Sequence, residues 1–224
     1  MKLPILEELH LDSLPRAARA AFVRCTSLPL FSSGGWYLAG GTALALQAGH
    51  RQSVDLDFFT ARKTFDEKKV AEQISKEETS WETTSLGRNT IYGEFKGAKM
   101  SLIAYPFFRP AKPMRQVGTV SLLAIADIAA MKIVAISQRG RKRDFLDLYW
   151  LCLHAQPLLE SVKGAQEQYT VPQNPSHLLK SLTYFADAED DPMPAIFFKA
   201  TWVEVKKFFQ TEIKKIAVDL LGLN

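Results

Sequence analysis

Two aspartates, Asp55 and Asp57, stand two residues apart in the run Ser53-Val54-Asp55-Leu56-Asp57-Phe58-Phe59. Apolar residues alternate with them, which predicts a strand, and in a strand residues i and i+2 share a face. Both carboxylates then lie on one face, with Val54, Leu56 and Phe58 directed into a core on the other. Carboxylates this close repel each other unless a cation sits between them. A hard divalent ion, Mg²⁺ or Mn²⁺, held by these two groups and by substrate phosphates is the natural guest. Upstream, Gly40-Gly41-Thr42 opens a short apolar helix expected to start near Ala43. Glycines let a backbone approach a phosphate closely, and a helix start aims free N–H groups and a positive dipole at an anion. Thr42 adds a hydroxyl donor there. A phosphate cradle and a metal clamp both fall within Tyr37–Thr60, and together they point to nucleotide chemistry.

These residues need a sheet to hold them. Trp36–Ala39 predicts a strand before the glycine turn, and Trp81–Leu86, Thr90–Phe95 and Lys99–Pro106 predict further strands after a helix over Phe65–Glu77. Ahead of them, Ser13 is expected to cap a helix with Pro15 in its first turn, reaching about Thr26. Leu3, Leu6, Leu9 and Leu11 precede it. Strands, a helix and more strands suggest a mixed sheet with helices on one side. From Ser121 the texture becomes helical. Ser121–Gln138 is apolar around most of its circumference and is interrupted by Asp127 and Lys132. A buried lysine is costly without a partner. Lys132 therefore pairs with Asp127, snorkels to a rim, or meets an anion.

Beyond Gly140 the run Arg139–Arg143 forms a basic edge that attracts phosphate, and the next helix carries Asp144 and Asp147 on one face. Charge alone makes such an edge an ordinary solvated surface, and Asp147 an intrahelical partner of Arg143. Leu158–Tyr169, His177–Phe185 and Thr201–Leu221 predict the closing helices, the last with Val203, Phe208, Phe209, Ile213, Ile216 and Leu220 at core spacing. The acidic loop Asp187–Asp191 lies between them.

Composition sets the frame. With 47% hydrophobic and 23% charged residues the chain is ordinary for a globular protein. A net charge of +4 tolerates a nucleotide or RNA partner without demanding one. Cys25 and Cys152 sit in helical apolar stretches and suit a reducing compartment. The opening MKLPILEELH lacks the apolar run of a signal peptide, and no stretch approaches the roughly 18 apolar residues of a membrane span. A cytoplasmic protein is expected. The four histidines are scattered, which speaks against zinc. No G-x-S-x-G or Walker-A string is present.

The string GGTALAL…GHRQSVDLDFF, with twelve residues between Thr42 and Asp55, resembles the AbiEii/AbiGii toxin branch of the polymerase-beta-type nucleotidyltransferase superfamily. Arg51 and Ser53 stand in register with that pattern. Asp127-x₄-Lys132 and the R-D-x-x-D-L run of RKRDFLDLYWL are similar to the same branch, as is SLTYFADAEDDPMP. The resemblance implies an α+β fold, a small mixed β-sheet nucleotidyltransferase core with a helical C-terminal region. It divides the chain into a core over 1–115 and a helical domain over 116–224 that contributes site residues. It implies transfer of NMP from an NTP to a hydroxyl, with RNA such as a tRNA 3′ end as acceptor, and a toxin neutralised by an antitoxin. Gly40, Gly41, Thr42, Arg51, Ser53 and Arg143 would then serve the nucleotide phosphates, and Asp55 and Asp57 the metal. Lys132 would neutralise phosphate charge. Asp144 would act as base or orient one, with Asp147 supporting it. The superfamily often adds a third carboxylate on the neighbouring strand, and here Ser101 holds that position. That departure leaves open a catalytically inactive nucleotide- or RNA-binding protein. A third reading makes Asp55 and Asp57 hydrogen-bonded residues at a strand end, which does not explain the glycine turn.

Overall fold

A computed structural model describes residues 4–221, and side chains over 6–218. Leu3 and the side chain of Leu220 lie outside the described residues. The chain divides into two compact units, one running through Arg109 and including Pro113–Ala124, the other made of Pro110–Lys112 and the chain from Ile125 onward.

The first unit is built on a seven-stranded mixed sheet. Its strands are β1 (Trp36–Leu38), β2 (Leu56–Thr60), β3 (Trp81–Gly87), β4 (Thr90–Phe95), β5 (Ala98–Ala104), β6 (Arg115–Val117) and β7 (Val120–Leu122), in the order β3-β4-β5-β2-β1-β7-β6. β3, β4 and β5 form an antiparallel meander. β5 runs parallel to β2, β2 antiparallel to β1, and β1 parallel to β7. β2 is central, and its inward residues Leu56 and Phe58 are fully buried. Phe58 stacks on Phe31 at 4.1 Å between ring centroids. The helices of this unit are α1 (Arg16–Cys25), α2 (Pro29–Ser33), α3 (Gly40–Ala48) and α4 (Glu67–Glu77). The Asp66 side chain caps α4 by accepting from the Lys69 N–H at 3.0 Å.

Several local expectations are corrected. Ser13 does not cap α1. It is buried in a 3-10 turn with its hydroxyl donating to the His10 carbonyl at 2.6 Å, and Pro15 takes the N-cap position. Val54 is not core but 48% exposed, because β2 begins only at Leu56 and the alternation does not reach back to it. Ser121 lies in a strand instead of opening a helix. β1 pairs with β7 through Tyr37–Ser121 and Leu38–Leu122, and Leu123 N–H donates to Leu38 O at 2.9 Å. Ladder hydrogen bonds there outweigh the helical pattern, and the hairpin that a boundary at 115/116 would cut belongs with the sheet.

The second unit contains α5 (Ile125–Arg139), α6 (Lys142–His154), α7 (Leu158–Gln168), α8 (Pro175–Ser181), α9 (Ala186–Glu189) and α10 (Trp202–Leu221). α5 packs against α6, α7 and α8, which explains its apolar circumference. Asp127 in its first turn accepts the N–H groups of Ala111 and Lys112 at 3.1 and 3.0 Å, tying Pro110–Lys112 to this unit. Burial pushes the Asp127 carboxyl above the usual range, and those two N–H groups offset part of the rise. Phe145 gathers Phe185, Trp202 and Phe209 around it, with centroids at 5.2 to 5.7 Å. Val203, expected in the core, is 70% exposed, since α10 turns Val205 and Phe209 inward instead. The acidic loop serves the start of α6. Asp191 accepts the Lys142 N–H at 2.9 Å and pairs with Arg141 at 3.1 Å, and the buried Lys142 ammonium donates to the Glu189 carbonyl at 3.0 Å. Among the described residues no helix is long and apolar enough to cross a membrane.

Candidate active site

In the sheet unit the chain leaves β1, turns at Gly40 and enters α3 at once, three residues ahead of the expected start at Ala43. Ala39 N–H still donates to Asp57 O at 3.1 Å, so the turn is pinned beside the DxD strand. Gly40 has φ +69°, a left-handed conformation that favours glycine, and a Cβ there would sit 3.9 Å from Asp57 Oδ2. The Asp57 carboxylate thus faces the bare backbone of the turn. A Cβ on Gly41 would collide with the buried guanidinium of Arg51. Arg51 also donates to Gln52 O at 2.9 Å. The first N–H groups of α3 have no carbonyl within the helix to bond and are available to an anion.

Thr42 does not present its hydroxyl as a phosphate donor at the helix start. It is buried in the first turn of α3, its hydroxyl bonds the Asp55 carbonyl, and it lies 2.8 Å from Ser53 Oγ. A hydroxyl has one proton, and here a main-chain carbonyl takes it. Thr42 and Ser53 therefore fasten α3 to the segment that carries the aspartates.

Asp55 immediately precedes β2 and Asp57 lies within it, both half-buried, while Leu56 and Phe58 face the core. The parallel register sets Asp57 beside Ser101, whose hydroxyl donates to Asp57 Oδ1 at 2.6 Å. The residue in the place of a third carboxylate thus orients the second. Among the described residues no group of three or more His, Cys, Asp or Glu side chains is placed to hold a metal ion. Two carboxylates beside a helix start still suit an ion such as Mg²⁺, which commonly takes one or two carboxylates and completes its shell with water and phosphate oxygens. Ser101→Ala is expected to slow the reaction about tenfold, as loss of a group that orients a metal ligand does. It should also raise the metal concentration needed for half-maximal rate. A titration of rate against Mg²⁺ checks both.

In the helical unit Lys132, Asp144 and Asp147 are brought together. Lys132 Nζ lies 2.7 Å from Asp144 Oδ1 and 2.6 Å from Asp147 Oδ2, and both carboxylates are fully buried. Arg139 adds a two-point contact to Asp144, Nε to Oδ2 at 3.0 Å and Nη2 to Oδ1 at 3.3 Å. Burial alone would raise the Asp144 carboxyl, but Lys132 and Arg139 outweigh it and hold it below the usual carboxylate range. Lys132 does not pair with Asp127, and Asp147 does not rely on Arg143. Arg143 is exposed and stays outside the cluster, and the arginine that joins it is Arg139, on Asp144. Arg139 was visible in the sequence only as part of the basic edge. The signal that singles it out is Gly140, with φ +52°, which ends α5 and starts the turn into α6.

Comparison with known proteins fixes the class. The fold is that of nucleotidyltransferases. A Helicobacter pylori protein provisionally described as a nucleotidyltransferase superposes with a TM-score of 0.54 at 17% identity, covering 94% of this chain and 99% of that one. MenT4, a nucleotidyltransferase toxin of Mycobacterium tuberculosis, superposes with 0.53 at 16% identity, covering 91% and 86%. An uncharacterized protein of Aquifex aeolicus is 36% identical over 207 residues, 90% of this chain and 97% of its own length. The family model described as the nucleotidyl transferase AbiEii toxin of type IV toxin–antitoxin systems matches residues 30–109 and 105–219. The chain belongs to that AbiEii nucleotidyltransferase family.

Proposed function

We propose that this protein transfers a nucleotidyl group from an NTP to a hydroxyl of RNA, with the 3′ end of a tRNA as the leading acceptor, in a reaction requiring Mg²⁺ or Mn²⁺. The observation that carries the reading is the Asp57 carboxylate held by Ser101 beside the Gly40 turn at the start of α3. Asp55 and Asp57 hold the ion, and when bound it neutralises charge on the phosphates during transfer. The N–H groups of Gly40 and Gly41 bind the triphosphate, with the Arg51 guanidinium packed directly behind Gly41. The acceptor oxygen bonds to the α-phosphorus as the bond to pyrophosphate breaks, and the acceptor proton leaves to solvent or a nearby base.

Asp144 is a poor candidate for that base. A carboxylate with both oxygens paired and its proton affinity lowered has little driving force to take a proton. Its part, with Asp147, is to hold the Lys132 ammonium inside the helical unit. The family description supports a toxin whose growth inhibition a partner antitoxin relieves. The test is incubation of the pure protein with each labelled NTP, Mg²⁺ or Mn²⁺ and total tRNA. Label moving to RNA establishes transfer and names the nucleotide. Metal-dependent NTP binding without transfer to any RNA would favour the inactive binding protein that Ser101 leaves open. Absence of both would end the nucleotidyltransferase reading.

A further inference from the structure

The sheet ends on one side in β6, three residues long, and on the other in β3, seven residues long. Among the described residues no strand pairs with the outer edge of β3. Alternate N–H and C=O groups along that edge point away from β4 and have no ladder to join. Folded proteins blunt such edges with lysine or proline in the strand, or with a covering helix. Trp81–Gly87 contains neither residue, and every position after Trp81 is exposed. Its one guard is a bulge between Thr83 and Ser85, which leaves Ser85–Gly87 regular. Helix α4 runs back alongside β3 and is pinned at both ends. Glu67 in its first turn accepts the Asn89 N–H at the hairpin tip, and the Trp81 N–H donates to Glu78 O at 3.1 Å just past its last turn. Between helix and strand lies an open groove of about 470 Å³ whose walls are α4 and β3 alone. Ala71, Thr83 and Leu86 form its apolar floor, while the Trp81 ring lies over the bare Gly93 and donates its N–H to the Thr83 hydroxyl at 2.9 Å.

Along this groove α4 presents Lys68, Glu72 and Lys76, one charge per turn in the order plus, minus, plus. Among the described residues none of the three is held in an ion pair. A strand added to β3 turns every second side chain toward this wall. Lys68 and Lys76 are eight residues apart, about 12 Å along the helix axis. Side chains four apart on one face of a strand are about 13 Å apart. Two acids at that spacing reach one lysine each. The residue midway between them meets the apolar floor and Glu72, which suits a small apolar side chain and repels an acid. A second copy of β3 lacks this pattern, since Glu82 is its one acid. A nucleic acid meets the lysines but does not complement alternating N–H and C=O groups. We propose that the β3 edge is a docking site for an extended segment of a partner protein, which adds a strand to the sheet and carries acid-x-apolar-x-acid against α4. The site is independent of the nucleotidyl-transfer reading. Thr83 and Leu86 register through Gly93 and Ile91 with Met100 and Leu102, and so with Leu56 and Phe58, on the sheet face opposite Asp57.

The test is fluorescence anisotropy of the full-length protein with the labelled peptide Thr-Thr-Glu-Thr-Val-Thr-Glu-Thr-Thr. Two controls stand beside it, one with both acids replaced by lysine and one with the acids on adjacent positions, hence on opposite faces. The first peptide is expected to bind about tenfold more tightly than the lysine control and about threefold more tightly than the adjacent-acid control, the scale of two and of one exposed ion pairs. Lys68→Glu combined with Lys76→Glu should reverse the order, so that the lysine peptide binds best. Both side chains are exposed, and a thermal melt confirms that the variant is folded. Hydrogen exchange reads the main chain, and the bound peptide should slow exchange of β3 amides within Thr83–Gly87. No preference for the acid-flanked peptide would overturn the proposal. Binding without slower exchange in β3 would also overturn it, because charge alone would then make the contact. Slower β3 exchange in concentrated protein without peptide would give the edge to a second copy, and slower exchange with RNA alone would give it to nucleic acid. Either result would sink the proposal, and none of these measurements reads nucleotidyl transfer, which stands or falls on its own assay.

Discussion

Asp57→Asn is expected to lower the rate of nucleotidyl transfer by on the order of 10³-fold, the scale of losing one preorganised charge at a reacting phosphate. Asparagine fills the same space, and its carbonyl oxygen can still accept the Ser101 hydroxyl that Asp57 Oδ1 accepts at 2.6 Å. A thermal melt of the variant separates loss of the charge from loss of the fold. What disappears is the negative charge facing the Gly40 turn. A ligand that has lost its charge binds a hard divalent ion weakly, so raising Mg²⁺ should recover only part of the rate. The contrast with Ser101→Ala is the informative part. That change leaves both charges in place and removes only the hydrogen bond that orients one of them, so its smaller loss should be largely recovered at high metal concentration. A rate for Asp57→Asn within tenfold of wild type, in a protein that melts normally, would remove Asp57 from the metal site.

The central unit was legible in sequence because its signals are local. Leu56 and Phe58 alternate with Asp57, so the strand and its buried face follow from period two alone. The glycine turn was legible as well, but the use of Thr42 was not. A helix-start threonine has the same appearance whether its hydroxyl meets a ligand or a main-chain carbonyl, and here Asp55 O claims it. Ser101 was visible as a departure, while its hydrogen bond to Asp57 depends on the register between β2 and β5, which no local pattern encodes. The β6–β7 hairpin escaped for a simpler reason. Strands of three residues are too short to show a period, and Ser121 to Leu123 continued smoothly into an apolar helix. Lys132 is the sharpest case. Asp127, five residues earlier, was the nearest acid, but positions five apart on a helix do not face each other. The true partners, Asp144 and Asp147, arrive only after Gly140 ends α5 and α6 folds back alongside it.

Lys132→Met is expected to destabilise the helical unit by about 3–5 kcal/mol, the cost of removing one member of a buried ion cluster and leaving its partners charged. The methionine fills much the same volume, so the loss is electrostatic and no large cavity forms. Asp144 keeps Arg139 at 3.0 Å, whereas Asp147 loses the ammonium that lay 2.6 Å from its Oδ2. In a thermal melt the single change should lower Tm by on the order of 10 °C. The pH dependence identifies the cause. In the wild type the Asp144 carboxyl is held below its unfolded value, so its contribution is fully present above the ordinary carboxylate range and is lost as pH falls through the lowered value. Without Lys132 the buried Asp144 carboxyl takes up a proton more readily, and acid relieves its repulsion with Asp147. The stability gap between wild type and Lys132→Met should therefore narrow as pH falls. A gap that stays constant from neutral to acid pH would mean that Lys132 acts there through packing and not through its charge.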